Sequence, residues 1–259
     1  METAGLHKGK GVDTPRVRRS PEQQIEAESS EELDREAQRE YRSAVMRCMY
    51  LGQDRPDVSE AVKSLSRHMA SPKVAHTQEL KRLIRYLLKY PIGFLRYERQ
   101  TRDVVTLTVY TDSDWAGDAL RRRSTTGLAI LRGRHLLRHG SALQTTIGLS
   151  SAEAEYYAVT RGASCALGLR AFFADLGVQV AIVMRCDASA AAAVATRKGL
   201  GRLRHLHTRH LWLQDRVERK EIRLEWLSGL ANPADALTKA LPQADLVRHC
   251  TALGQRWQQ

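Results

Sequence analysis

Val105-Thr-Leu-Thr-Val-Tyr-Thr-Asp112 is the stretch on which the reading of this chain turns. Val105, Leu107 and Val109 alternate with Thr106, Thr108 and Tyr110, the period of two that marks a strand buried on one face. The strand runs straight into an acid. Downstream, Thr125 to Leu131 and His135 to Leu143 predict two more strands, joined through Gly133 as a hairpin. A long helix follows from about Ser151 to Leu176, stopped by Gly177. Val180 to Cys186 predicts a fourth strand, ending at Asp187. A short helix begins at Ala190 to Ala195, its small side chains suited to close approach to a sheet, and another helix runs from about His207 to Arg219. Ile222 to Leu227 predicts a fifth strand, whose alternating Arg223 and Glu225 suit an edge. Pro233 to Lys239 predicts a closing helix. The order β-β-β-α-β-α-α-β-α predicts an α/β domain on a mixed sheet, antiparallel in its first half and parallel in its second.

Upstream the period is helical. Val58, Ala61, Val62, Leu65 and Met69 recur at three and four residues after Asp54-Arg55-Pro56-Asp57, a turn and helix start. Leu80, Leu83, Ile84, Leu87 and Leu88 predict a second helix, ended by Tyr90-Pro91. Residues 41–100 therefore read as a small helical unit. Before it, residues 21–40 hold eight acids against Arg35 and Arg39, a solvated helix or linker. The first twenty residues, with no apolar period, read as a disordered tail. The expected division is 1–40 tail, 41–100 helical unit, 101–241 α/β domain and 242–259 C-terminal helix or tail.

Composition narrows the class. The 259 residues carry 41 Lys and Arg against 29 Asp and Glu, a formal charge of +12. The first forty residues sum to −3, so the remainder carries +15, which points to a polyanionic partner. No apolar run reaches the roughly 18 residues of a membrane span, and the first fifteen residues hold no apolar signal core. Cys48, Cys165, Cys186 and Cys250 form no CxxC pair, so reduced, mostly buried thiols in an intracellular protein, cytoplasmic or nuclear, are expected.

Four acids fall at structural junctions. Asp112 ends the first strand, Asp187 the fourth, Glu155 lies in the first turn of the long helix, and Asp235 opens the last helix. Each singly has a structural explanation, as a turn former or a complement to a helix N-terminus. Ser150 and Glu153 fit a capping box, which leaves Glu155 free for a site. Together the four can converge on one sheet edge, where unpaired carboxylates repel and call for a cation. Oxygen ligands alone suit Mg²⁺ or Mn²⁺, and paired divalent ions serve in-line phosphodiester cleavage. Asp114 competes with Asp112, because alternation puts both on one strand face.

These residues carry a resemblance. Tyr110-Thr-Asp-Ser-Asp-Trp-Ala-Gly-Asp118, Arg123-Ser-Thr-Thr-Gly127, Leu149-Ser-Ser-Ala-Glu-Ala-Glu-Tyr156, Cys186-Asp187, His205-Leu-His-Thr-Arg-His210 and Ala234-Asp-Ala-Leu-Thr-Lys239 resemble the RNase H domain of copia-type (Ty1/copia) retrotransposon polyproteins. Tyr41-Arg-Ser-Ala-Val45, Arg55-Pro-Asp57 and Leu80-Lys-Arg-Leu-Ile-Arg-Tyr-Leu87 resemble the segment that ends the reverse transcriptase region. The ordered set spans roughly residues 41–245. It implies an RNase H-like fold that cuts the RNA strand of RNA–DNA hybrids with two Mg²⁺ ions, Mn²⁺ being the alternative. Carried over by position, the tetrad is Asp112, Glu155, Asp187 and Asp235. The resemblance also implies other parts of a retroelement polyprotein as partners. The paired-Asp motif of a polymerase has no counterpart, so no polymerase activity is expected.

The chain departs from that pattern in places. Ala188 stands where the family has Asn, Arg138-His139-Gly140 and Gln144-Thr145-Thr146 replace a Ser-Trp and a Lys-Lys-Gln stretch, and Ser228 to Ala234, just before Asp235, holds no His to shuttle protons. Arg121, Arg122 and Arg123, and Lys198, Arg202, Arg204 and Arg209, are two basic runs that either face solvent or touch phosphates. His205, His207 and His210 do not share one helix face, so surface, capping or phosphate roles outweigh metal ligation. For Trp115 and Trp226, core packing outweighs stacking on nucleic acid. The rival functions are a catalytically silent nucleic-acid-binding remnant, an interaction module using the acidic 21–40 segment, and an integrase-like enzyme, which would need a late Glu.

Overall fold

The computed structural model describes residues 10–100, 105–187, 195–196 and 211–258. The stretch opened above becomes the middle strand of a five-stranded sheet. Its strands are β2 (Thr106–Asp114), β3 (Thr125–Arg132), β4 (His135–Leu143), β5 (Ala181–Cys186) and β6 (Ile222–Trp226), and they lie in the order β4-β3-β2-β5-β6. The pairs β4–β3 and β3–β2 are antiparallel, whereas β2–β5 and β5–β6 are parallel. This is the mixed sheet the sequence predicts, and it is the RNase H-like arrangement. The first crossover is α5 (Ser151–Asp175), whose N-cap Ser150 accepts from the Glu153 amide and whose C-terminal end meets Gly177 at φ +74°.

The two faces of the sheet are covered differently. On one, Leu107, Val109, Leu128 and Ile130 pack against Tyr156, Val159 and Ala163 of α5. Gly162 permits that approach, because a Cβ there would stand 2.6 Å from the Thr111 methyl. On the other, Ala129, Leu131 and Leu136 pack on Leu237 and Leu253 from the C-terminal part of the chain. Both faces of β3 are therefore dry, and seven of its eight residues are buried.

The helical unit comprises α1 (Pro21–Ser29), α2 (Arg35–Leu51), α3 (Pro56–Ser66) and α4 (Val74–Lys89). Val45, Val58, Leu65, Leu83 and Ile84 form its core. It is not an appendage. Lys63 donates to Thr125 Oγ1 at 2.9 Å and Arg67 pairs with Asp118 at 2.5 Å. His139 accepts from Ser59 Oγ at 3.0 Å on Nδ1 and donates Nε2–H to the Gln53 carbonyl at 2.8 Å, which gives this departure from the family pattern a bridging role.

Several expectations change. Residues 21–40 are not one solvated helix; they make α1, with Ala27 buried, and the start of α2. Residues 10–20 do not behave as a free tail, because Arg16 pairs with Glu60 at 2.7 Å and Arg19 with Glu79 at 3.0 Å. The closing helix expected from Pro233 to Lys239 is a 3₁₀ turn, Pro233–Leu237, preceded by another at Gly229–Ala231. The chain then continues as α7 (Gln243–Ala252), and α6 (Trp212–Glu218) is the described part of the helix expected from His207. Two short strands were not foreseen: β1 (Ile92–Leu95) pairs antiparallel with β7 (Gln255–Gln258). Of the helix expected from Ala190 to Ala195, residues 190–194 lie outside the described residues, as does Ala188. Among the described residues no helix is long and apolar enough to cross a membrane, and the four cysteines are free thiols.

Candidate active site

Parallel strands β2 and β5 both point their C-terminal ends at one edge of the sheet. Asp112 stands near the end of β2 and Asp187 follows the last residue of β5. Glu155, in the second turn of α5, reaches the same edge. Ligand oxygens of Asp112, Glu155 and Asp187 all lie within 4.8 Å of one another. Glu155 is oriented from β2 itself: its Oε1 accepts from both the amide and the hydroxyl of Ser113, each at 3.0 Å. Glu153, two residues earlier, faces elsewhere, accepting from the Leu149 amide at 2.8 Å and from the Tyr157 hydroxyl. The two acids thus face different partners, and Glu153 reaches the Leu149 amide rather than the N-cap amide.

The fourth acid arrives on the 3₁₀ turn Pro233–Leu237. Asn232 caps this turn, accepting from the Ala234 amide at 3.2 Å, and donates from Nδ2 to the Thr111 carbonyl at 2.9 Å. The turn can lie flat on β3 because residue 127, opposite Asp112, is glycine; a Cβ there would sit 2.7 Å from the Ala234 carbonyl oxygen. Asp235 stands close enough to Asp112 to feel its charge. Thr238 Oγ1 donates to Asp112, and Lys239 Nζ lies 2.9 Å from Asp235 and 3.9 Å from Asp112.

Packing four acids together shows in their protonation. Burial, then the charges of Asp112 and Asp187, push the Glu155 carboxyl up to about 8. Burial and Asp112 push Asp235 up to about 6, and the same two causes raise Asp187. Burial opposes the charge on Lys239, but Asp112 and Asp235 hold its ammonium above the ordinary range. Glu155 Oε2 and Asp235 Oδ1 are buried and lack a hydrogen-bond partner. An all-oxygen donor set with unsatisfied buried lone pairs fits a hard divalent cation.

Asp114 does not join the cluster. Its carboxylate lies over the backbone of Gly117, 3.8 Å from Arg18, and burial raises its pKa. Arg121, Arg122 and Arg123 occupy the turn from β2 to β3, at the site's end of the sheet, with Arg121 and Arg122 exposed. Lys198, Arg202, Arg204 and Arg209, with His205, His207 and His210, lie outside the described residues. Trp115 and Trp226 are not core residues; they are 49% and 68% exposed.

No protein-family model matches the chain. Among curated proteins it is similar to a retrovirus-related Pol polyprotein from transposon TNT 1-94 of Nicotiana tabacum, 32% identical over 206 residues, or 78% of this chain. A retrovirus-related Pol polyprotein from transposon RE1 of Arabidopsis thaliana is 30% identical over 218 residues, or 83% of this chain. The chain belongs to the Pol polyproteins of copia-type transposons. It spans about 15% of the length of these two relatives. The secreted RxLR effector protein 161 of Plasmopara viticola is 38% identical over 130 residues, covering 50% of this chain and 90% of that protein. Among solved structures, LC11-RNase H1 from compost covers 52% of this chain and 93% of its own, at 16% identity and a TM-score of 0.37. LC11-RNase H1 in complex with RNA/DNA hybrid gives 18% identity and a TM-score of 0.37. These structural likenesses are weak, and the fold is read from the strand order itself.

In this Pol family member, sequence reading missed the residues that hold the acids in place. Ser113, Asn232, Thr238 and Lys239 orient the carboxylates, and Gln144 ties β3 to α5 by donating to Thr126 Oγ1 at 3.0 Å and to the Ala154 carbonyl at 2.8 Å. Only Asn232 carried a local signal: Asn before Pro is an N-cap followed by an N1 proline.

Proposed function

We propose that the chain is an RNase H-type endonuclease, hydrolysing the RNA strand of RNA–DNA hybrids. The observation that carries this reading is the convergence of Asp112, Glu155 and Asp187 within 4.8 Å, with Asp235 linked to Asp112 through Lys239 Nζ, 2.9 Å from one and 3.9 Å from the other. These four residues would hold two Mg²⁺ or Mn²⁺ ions, which supply Lewis-acid stabilisation of the leaving oxygen and a readied water. The protein's own groups do the positioning. Ser113 fixes Glu155, Thr238 fixes Asp112, and the Asn232 cap presses the last turn onto β2. Arg121, Arg122 and Arg123, with Lys198, Arg202, Arg204 and Arg209, would contact the sugar–phosphate backbones, since hybrids are read by shape and 2′-hydroxyls rather than by sequence.

A second reading has its own observation. Lys239 already places a cation against Asp235 and Asp112, which suits a protein that binds hybrid without cutting it. The test is cleavage of a labelled RNA–DNA hybrid by the full chain in Mg²⁺ or Mn²⁺, beside Asp187→Asn and Glu155→Gln. Cutting by the parent alone supports the enzyme. Binding without cutting at every level of either ion overturns it and leaves the silent binder.

A further inference from the structure

The segment before α1 is not a bystander to the site. Arg16 and Arg19 anchor it to Glu60 and Glu79, and Arg82 holds Thr14 at 2.8 Å. Next, Gln24 of α1 clamps the turn after β2 with both ends of its amide, donating to the Gly117 carbonyl at 3.2 Å and accepting from the Ala119 amide at 3.1 Å. The turn so clamped follows directly on the strand end that carries Asp112 and Asp114.

Between the strap and that turn lies a cleft of about 380 Å³, lined by Arg18, Ser20, Asp114, Trp115, Gly117 and Lys239 among others. That volume lies near the lower end of the roughly 300–1,000 Å³ of small-ligand sites, room for one nucleotide rather than a duplex. Two features equip it. Arg16, Arg19 and Lys239 are each engaged by a carboxylate at 3.0 Å or closer, whereas Arg18 only approaches Asp114 at 3.8 Å and its side chain is 71% exposed. Trp115 is half exposed, yet its Nε1–H is pinned to the Gly148 carbonyl at 2.9 Å, so an aromatic ring is held in one orientation at the cleft. A guanidinium free to take a phosphate beside a fixed aromatic ring is the chemistry of a nucleic-acid strand contact. Asp114 would repel a phosphate, but Arg18, Lys63 and Lys239 surround it with positive charge.

We propose that this cleft is a further substrate subsite, in which one nucleotide of the strand adjoining the acidic cluster lies with its phosphate on Arg18 and its sugar or base against Trp115. The proposal rests on the reading of the acidic cluster as a site acting on nucleic acid, and it adds the N-terminal strap to the substrate-binding surface.

The test is fluorescence-anisotropy binding of a labelled RNA–DNA hybrid to the full chain across a salt series, with Ca²⁺ replacing Mg²⁺, for the parent, Arg18→Gln, Arg18→Lys and Trp115→Leu. Arg18→Gln is expected to weaken binding several-fold and lower the salt slope by about 1, the share of a single phosphate contact, while Arg18→Lys keeps the slope. Trp115→Leu is expected to weaken binding roughly tenfold with the slope unchanged. Parental affinity and slope in Arg18→Gln overturn the subsite, whatever Trp115→Leu does, and so does a parent that binds no hybrid. Cleavage assays run in parallel separate the two readings. A parent that cuts, with Arg18→Gln binding normally, leaves the nuclease without the subsite. A parent that never cuts, with Arg18→Gln losing the slope, leaves the subsite without the nuclease.

Discussion

Glu155 shows at the residue scale what a cluster of acids costs a protein. Its carboxyl ionises near 4.5 when the chain is unfolded and at about 8 when it is folded, because burial, Asp112 and Asp187 disfavour the charge. A raised carboxylate value means that the folded state binds more protons between pH 4.5 and 8, so stability falls as pH rises through that window. Glu155→Gln removes the effect. At pH 8 and without metal it is expected to raise the melting temperature by at least about 3 °C, the shift that roughly 1 kcal/mol gives a chain of this size. Millimolar Mg²⁺ is expected to raise the melting temperature of the parent and to leave that of Glu155→Gln nearly unmoved. Scanning calorimetry with and without the ion checks both; a parent indifferent to Mg²⁺ and Mn²⁺ would sink the metal site. The acids themselves were legible in the sequence because each stands where an element begins or ends. Trp115 was not, since nothing local tells a tryptophan beyond a strand end from one in a core.

At the scale of elements, the 3₁₀ turn Pro233–Leu237 decides whether the fourth acid reaches the site. The sequence reads as a helix there, but the Asn232 cap, anchored on Thr111 of β2, and the Thr238 bond to Asp112 confine it to a tight turn. Asn232→Ala removes the cap and leaves the buried Thr111 carbonyl without this donor. The expected loss is about 1–3 kcal/mol in urea melts. Single-turnover cleavage should slow while hybrid affinity holds, because the acids remain and only their placement loosens. Slowed cleavage without loss of stability would contradict this account. The short strands β1 and β7 escaped prediction for a related reason. Four residues carry too few alternations to register, and their pairing joins the segment after the helical unit to residues far away in the sequence near the C-terminus.

At the scale of the whole molecule, one buried carboxylate ties the helical unit to the C-terminal strand. Asp57 takes both arms of Arg55, at 2.9 and 2.8 Å, the Tyr86 hydroxyl at 2.8 Å and the Trp257 indole at 3.2 Å, while its amide donates to Gln255. Helical unit and C-terminal strand meet on it. Asp57→Ala strands the Arg55 charge in the interior and is expected to cost about 3–5 kcal/mol by denaturant unfolding. A loss below 1 kcal/mol would show that the two parts are not coupled through this residue. Four histidines set the acid limit. Burial depresses His68 to about 3 and His76 to about 4, and lowers His139 and His249. Depressed values mean that the unfolded chain binds protons first, so their contribution is full above about pH 6.5 and is lost as pH falls below it. From pH 8 down to about 6.5 metal-free protein should therefore gain stability, below about 6.5 the histidines should oppose the further gain from Glu155 and Asp235, and Mg²⁺ should restore the alkaline side. Melting temperatures between pH 5 and 8 check this.

By itself the sequence determined the five main strands and the long helix, because those depend on local period and on what ends an element, and it marked the four acids as candidates. Tertiary structure alone decided that Asp114 turns away towards Gly117 and Arg18, that residues 10–20 form a strap and not a tail, and that Lys239 enters the acidic cluster. These outcomes rest on ion pairs and hydrogen bonds between residues far apart in the chain. Arg16 with Glu60, Gln24 with Gly117 and Lys63 with Thr125 leave no period in the sequence, and only a folded sheet edge brings such partners together.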